Sequence, residues 1–212
     1  AYVERNGKCG FVDKTGKEII TVKYEIPLIS YIYRFREGLA KVQLNGKCGY
    51  IDKTGKEVIP IKYYNAYPFS EGLAMVMLNW KYGFIDKIGN EIISFKYDDI
   101  LLDRYNGFHE GLARVKSCHK YGFIDKTGKE IVPVKYDDAD IFYEELAKVK
   151  LNGKYGFVDK TGKEVVPFKY DGAGDFVDGL ARVNIGGKIS SYRLKGGKWG
   201  YIDKKGEEVI PL

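Results

Sequence analysis

The stretch Lys154-Tyr155-Gly156-Phe157-Val158-Asp159-Lys160-Thr161-Gly162-Lys163-Glu164-Val165-Val166-Pro167 is one of six copies of a single phrase. Aligning on its Asp gives Asp13, Asp52, Asp86, Asp125, Asp159 and Asp203. A second phrase precedes it as Glu37-Gly38-Leu39-Ala40, Glu71-Gly72-Leu73-Ala74, Glu110-Gly111-Leu112-Ala113, Glu144-Glu145-Leu146-Ala147 and Asp178-Gly179-Leu180-Ala181. Cutting at the Ala of that phrase yields units 1–39, 40–73, 74–112, 113–146, 147–180 and 181–212. Self-similarity at a period of this length is the mark of stacked structural repeats.

Each unit reads as three short strands. In the fifth unit the first strand is Leu146–Leu151, with apolar residues near period two. Asn152-Gly153 follows, a hairpin signal because both positions need positive φ. Tyr155–Val158 is the second strand. Asp159-Lys160-Thr161-Gly162 is a turn, since the Asp can accept backbone N–H groups and the Gly suits a left-handed position. The third strand, Glu164–Lys169, is β-branched and should stop or bulge at Pro167. No segment sustains a 3.6-residue pattern, so almost no helix is expected.

A unit of about 34 residues cannot bury both faces alone, and its neighbours must supply the core. The expected fold is therefore all-β: six tandem three-stranded antiparallel units in an open curved repeat array. The alternative is a propeller-like ring, but propeller blades use four strands and about 40 residues or more. Neither end of this chain offers a spare strand to complete a first blade.

The bulk numbers agree with a folded chain. Of its 212 residues 44% are hydrophobic and 30% charged, and aromatics reach 15%, mostly Tyr. No apolar run approaches 18 residues, so no membrane insertion is expected. The chain opens on Ala1 rather than Met, as a processed or excised piece would. The net charge of +6 is diluted by interleaved Lys and Glu. Cys9 and Cys48 occupy the slot where other copies carry Tyr or Trp, which makes them small core hydrophobes. With Cys118 the count is odd and too sparse for a disulfide framework.

These phrases resemble the WG-repeat (KWG-repeat) family. The dipeptide itself survives as Trp199-Gly200, appears as Tyr-Gly at Tyr82, Tyr121 and Tyr155, and as Cys-Gly at Cys9 and Cys48. The resemblance covers essentially the whole chain. It implies tandem β-repeats of bacterial proteins, often secreted or envelope-associated, with no common enzymatic activity. The loss of Trp from five of six copies is a departure.

Little in the sequence points to catalysis. The six recurring Asp residues could be a row of acids, but each is followed three residues on by Gly, which fits a turn. A calcium loop needs several clustered oxygen ligands, and here Lys stands beside the carboxylate. His109 and His119 lack a triad or metal-site context, and no phosphate loop or nucleophile elbow appears. No cofactor, no metal site and no enzymatic activity are expected. Lys8, Lys47, Lys81, Lys120, Lys154 and Lys198 form one row, and Lys14, Lys53, Lys87, Lys126, Lys160 and Lys204 another. Glu18, Glu57, Glu91, Glu130, Glu164 and Glu208 form a matching acidic row. Cross-strand pairing is the expected use, and nucleic acid is not the expected partner.

Function in repeats resides where the copies differ. Residues 25–34 form a longer loop that includes Ile29, Tyr31 and Tyr33. Residues 98–107 are its counterpart, with Leu101, Arg104 and Tyr105. Residues 186–195 enlarge the last hairpin tip and carry Tyr192 and Arg193. Trp80 replaces Gly at a hairpin tip, where it takes a backbone penalty unless the turn changes type, and its ring is expected to be exposed. With Trp199 these are the candidate binding residues. The sequence leads to a non-enzymatic β-repeat scaffold for protein–protein or cell-surface contact. The alternative is a carbohydrate or cell-wall glycan binder using rows of Tyr with Trp80 and Trp199.

Overall fold

The computed structural model describes residues 2–25, 35–98, 107–190 and 193–212. Among the described residues there are strands and turns and no helix. Each repeat forms its own antiparallel sheet, and none of the sheets closes on itself. In the fifth repeat Leu146–Leu151 pairs with Lys154–Asp159, which pairs with Glu164–Tyr170. The all-β tandem array of antiparallel sheets read from the phrases is what the chain forms.

Four of the sheets carry a further strand that the three-strand reading did not contain. It comes from the variable loop ahead of the Gly-Leu-Ala phrase: Asn65–Ala66, Phe108–His109, Asp138–Tyr143 and Gly172–Ala173. Each adds to the free edge of the first strand and satisfies backbone groups that would otherwise be unpaired.

The turns follow their residue chemistry. Asn152 and Gly153 both have positive φ, 50° and 79°. Asp159 Oδ1 accepts from the Thr161 N–H, the Thr161 hydroxyl and the Lys163 N–H, at 2.9, 2.6 and 3.0 Å. Gly162 sits at φ 83°. The same arrangement holds at Asp13 and Asp52, so the recurring Asp is a turn residue.

The third strand bulges where Pro167 suggested it would. Tyr155 pairs with Tyr170 and Phe157 with Val166, so the single residue Gly156 on one strand faces three, Pro167 to Lys169, on the other. Proline is not the cause, however, because copies with Thr21 and Ser94 in that slot shift register too. The shift drives the third strand's backbone against the Gly of the second. A Cβ on Gly10, Gly49, Gly83, Gly122, Gly156 or Gly200 would lie 2.5–2.7 Å from a carbonyl oxygen of that strand. The Gly of the recurring dipeptide is therefore fixed by close backbone approach, and none of the six has positive φ.

The chain divides into two compact units, residues 1–113 with 126–128, and residues 114–125 with 129–212. In the first, Phe69 packs edge-on against Tyr50 and Phe108 tilts against Phe84, with centroids 4.9 and 5.0 Å apart. In the second, Phe142 meets Phe123 and Phe176 meets Phe157, both at 4.8 Å. The Phe of each of these variable loops thus caps the second-strand aromatic of its own repeat. The Tyr that ends each third strand (Tyr24, Tyr63, Tyr97, Tyr136 and Tyr170) is buried, as are Cys9 and Cys48.

Candidate functional site

Two polar links recur between successive repeats, and they define the background against which a site stands out. The first joins the turns of the Gly-Leu-Ala phrase. Glu37 accepts from the Gly72 N–H and pairs with Lys87 at 2.9 Å. Glu71 does the same with Gly111 and Lys126, and Glu144 with Gly179 and Lys204. The Lys204 hydrogen bond holds the Glu144 carboxyl below its ordinary range. The lysines of the Asp-Lys turns were expected to pair with the Glu18 row. Lys87, Lys126 and Lys204 reach instead to these turn glutamates of an earlier repeat.

The second link lies at the hairpin tips. The residue after each Lys-Tyr pair is Asp98, Asp137 or Asp171 in three repeats. These carboxylates form tight ion pairs with Lys81, Lys120 and Lys154. Asp137 and Asp171 also accept from Gly153 and Gly186 at the next tip, at 3.4 and 2.8 Å. Hydrogen bonding to Lys120 and Lys154 respectively keeps both acids below the usual carboxylate range. Glu25 plays the same part toward Gly46 at 3.2 Å.

One repeat abandons this link. Tyr64 stands where the others have the acid, and Trp80 stands where three other tips have Gly7, Gly46 and Gly153 and a fourth has His119. The two rings stack, with centroids 5.1 Å apart and planes 20° from parallel. The Lys47 ammonium, placed as Lys120 is in its repeat, lies 3.0 Å from the Tyr64 centroid. A cation–π contact and a ring stack have replaced an ion pair and an N–H···O bond. The turn does not change type to accommodate the indole: Asn79 and Trp80 keep φ of 48° and 61°. Trp80 is 72% exposed and Tyr64 41%. The hairpin keeps its left-handed backbone with a side chain in place, as it does at Cys118 and His119 with φ of 48° and 63°, and here the side chain is a large ring in solvent.

Trp199 is 38% exposed, and the Arg182 guanidinium covers its ring at 3.9 Å. It lies in the second compact unit and Trp80 in the first. Ile29, Tyr31, Tyr33, Leu101, Arg104, Tyr105 and Tyr192 lie outside the described residues. The enlarged last hairpin forms a ribbon of its own, Lys188–Ser190 with Arg193–Lys195. Its base is pinned by the buried Asn184, which accepts from Gly187 at 3.0 Å and donates to the Gly196 carbonyl at 3.2 Å. Among the Tyr considered for a sugar-binding face, Tyr24, Tyr63, Tyr97, Tyr136 and Tyr170 of the third strands are buried, whereas Tyr2, Tyr64, Tyr143 and Tyr201 are exposed.

Sequence reasoning named Trp80 but missed Tyr64 and Lys47. The signal was present, since Tyr64 interrupts a column of acids, but it appears only when the third strand is aligned into the loop beyond it. A further group sits in the second unit, where Lys148 bridges Asp140 and Asp175 at 2.7 and 3.2 Å. Burial depresses the Lys148 ammonium, yet the two carboxylates outweigh it and hold its pKa above the ordinary value.

Comparison with solved structures finds a likeness of fold to a crystal structure described as that of the eukaryotic initiation factor. The TM-score is 0.54 and the identity 12%, over 98% of this chain and 61% of that one. This chain thus spans about three fifths of that structure. A protein of unknown function from Bacteroides caccae aligns over 96% of this chain and 89% of its own, at 13% identity and a TM-score of 0.32. No curated protein matches the sequence. The WG containing repeat matches residues 10–48, 49–82, 82–117, 121–155, 155–188 and 199–212, nearly the whole chain. With its turns, its bulge and its crowded glycine repeated in every copy, the chain belongs to the WG containing repeat family.

Proposed function

We propose that this chain is a non-enzymatic β-repeat scaffold that contacts a protein or a cell-surface component through positions where its repeats differ. The carrying observation is the Tyr64–Trp80 stack. Both members of a structural link have been exchanged for rings, and the larger ring faces solvent at a strained position. Exposed Trp and Tyr are the residue types that dominate binding energy at interfaces. The recurring acids favour a scaffold over an enzyme, because Asp13, Asp52, Asp159, Glu37, Glu71 and Glu144 are committed to backbone N–H groups of turns. Nucleic acid is a poorer fit, because Lys81, Lys120 and Lys154 at the tips and Lys87, Lys126 and Lys204 at the turns are paired with carboxylates.

The reading is tested by presenting the wild-type chain and Trp80→Ala to a glycan array and to an immobilised cell-surface protein fraction. The wild type should be retained by one of them and the variant should not. Equal retention of both chains, or retention of neither, would contradict it.

A further inference from the structure

We propose that the exposed face of Trp80, backed by Tyr64, is a subsite for one neutral pyranose ring of a glycan. This rests on the contact role given to Trp80 above and names the ligand class. Three observations lead to it.

The first is shape. Tyr64 and Trp80 are within 20° of parallel, so Tyr64 supports one face of the indole. An exposure of 72% leaves the other face open to solvent. A flat, open, pre-positioned ring suits the flat C–H face of a pyranose, which is weakly polarised and meets the negative face of the π-system. Pre-positioning lowers the ordering cost of binding, and the stack together with the left-handed turn supplies it.

The second is the surroundings. A protein hot spot is ringed by near-neutral contacts that exclude water. Here the residues next to Trp80 in the chain are hydrogen-bonding ones, Asn79 and Lys81, and Lys81 carries Asp98 in an ion pair. Lys47 lies over the supporting Tyr64. Such groups match sugar hydroxyls, which both donate and accept.

The third is charge. Lys81 is neutralised by Asp98, and Lys47 is engaged with the Tyr64 ring. The charge of Lys47 alone remains beside the rings, against the several cations a phosphate chain needs, although aromatic rings beside lysines could otherwise stack nucleobases. A neutral sugar fits this balance better than a polyanion.

The test uses the full chain in a Trp199→Phe background, so that tryptophan fluorescence reports Trp80 alone. The probes are neutral hexasaccharides of β-linked glucose and of N-acetylglucosamine, with single-stranded oligothymidine as a competitor class. A saturable change in Trp80 emission with one of the sugars is expected, independent of salt. By calorimetry, Tyr64→Ala and Trp80→Ala should each weaken binding by at least about tenfold. No response to any sugar, with Trp80-dependent retention of a protein, would overturn the sugar assignment and leave the contact role standing. A salt-sensitive response to oligothymidine alone would overturn it in favour of nucleic acid. Sugar binding untouched by Trp80→Ala would overturn both the subsite and the role of Trp80.

Discussion

The carboxylate of Glu71 accepts a hydrogen bond from the Gly111 N–H, forty residues further along the chain, at 3.1 Å. Lys126 closes the arrangement at 3.0 Å from the same carboxylate. Glu71 has a φ of 52°, so a left-handed turn residue aims its side chain at the next turn. Replacing it separates the two interactions. Glu71→Gln keeps an acceptor and loses the ion pair, whereas Glu71→Ala loses both. Exposed ion pairs contribute little and the hydrogen bond somewhat more. Calorimetry should show a fall in Tm of about 2–4 °C for Ala and less for Gln.

Acid should unfold the chain through its turns. The Asp13, Asp52 and Asp159 carboxyls are held below their ordinary range, chiefly by the hydroxyls of Thr15, Thr54 and Thr161. A carboxyl with a depressed folded pKa adds stability that is complete above its unfolded value. That stability is lost as pH falls through the folded one. Tm should be flat from pH 7 down to about 5 and then drop steeply below about 4. Asp159→Asn should show a shallower acid limb than the wild type.

Two glycines three residues apart should fail for opposite reasons. Gly156 has ordinary φ but no room, since a Cβ would lie 2.6 Å from the Val166 carbonyl oxygen. Gly153 has room but a φ of 79°. Gly156→Ala should cost roughly 2–3 kcal/mol by forcing the bulged strand away. Gly153→Ala should cost about 1 kcal/mol of backbone strain. Denaturant unfolding of the two variants gives the order, and a larger loss at Gly153 would contradict the close-approach account.

The cysteines should separate by depth. Cys9 and Cys48 are buried and Cys118 is exposed. Burial, partly offset by Lys41, also raises the Cys48 thiol. Iodoacetamide at neutral pH should therefore label Cys118 in the folded chain, and the other two only in denaturant.

Much of this was legible in the sequence, for a physical reason: local chemistry fixes local turns. Asn152-Gly153 demands a tight hairpin and Asp159 with Gly162 a closed turn, whatever lies around them. What escaped depends on partners distant in sequence. Asn65–Ala66 and Gly172–Ala173 are strands only because a neighbouring edge is free, and two residues carry no period to read. The glutamates that meet Lys87 and Lys126 belong to turns fifty and fifty-five residues earlier, as the numbering of Glu37 and Glu71 shows. The bulge at Pro167 recurs with Thr21 and Ser94 in that slot, so the shape of the sheet sets it. At the candidate site Trp80 was conspicuous by itself. Tyr64 became meaningful only once the structure placed it under that ring.

The central claim is that Tyr64 and Trp80 are present for contact and not for the fold. It is tested most directly by the double reversion Tyr64→Asp with Trp80→Gly, which recreates the acid-and-glycine link of Asp137 and Gly153. Lys47 would gain a carboxylate partner and the tip would lose its left-handed tryptophan. Calorimetric unfolding should give a Tm equal to the wild type or about 2–4 °C above it. A Tm lower by more than that margin would show that the stack holds the repeats together, and would contradict the account.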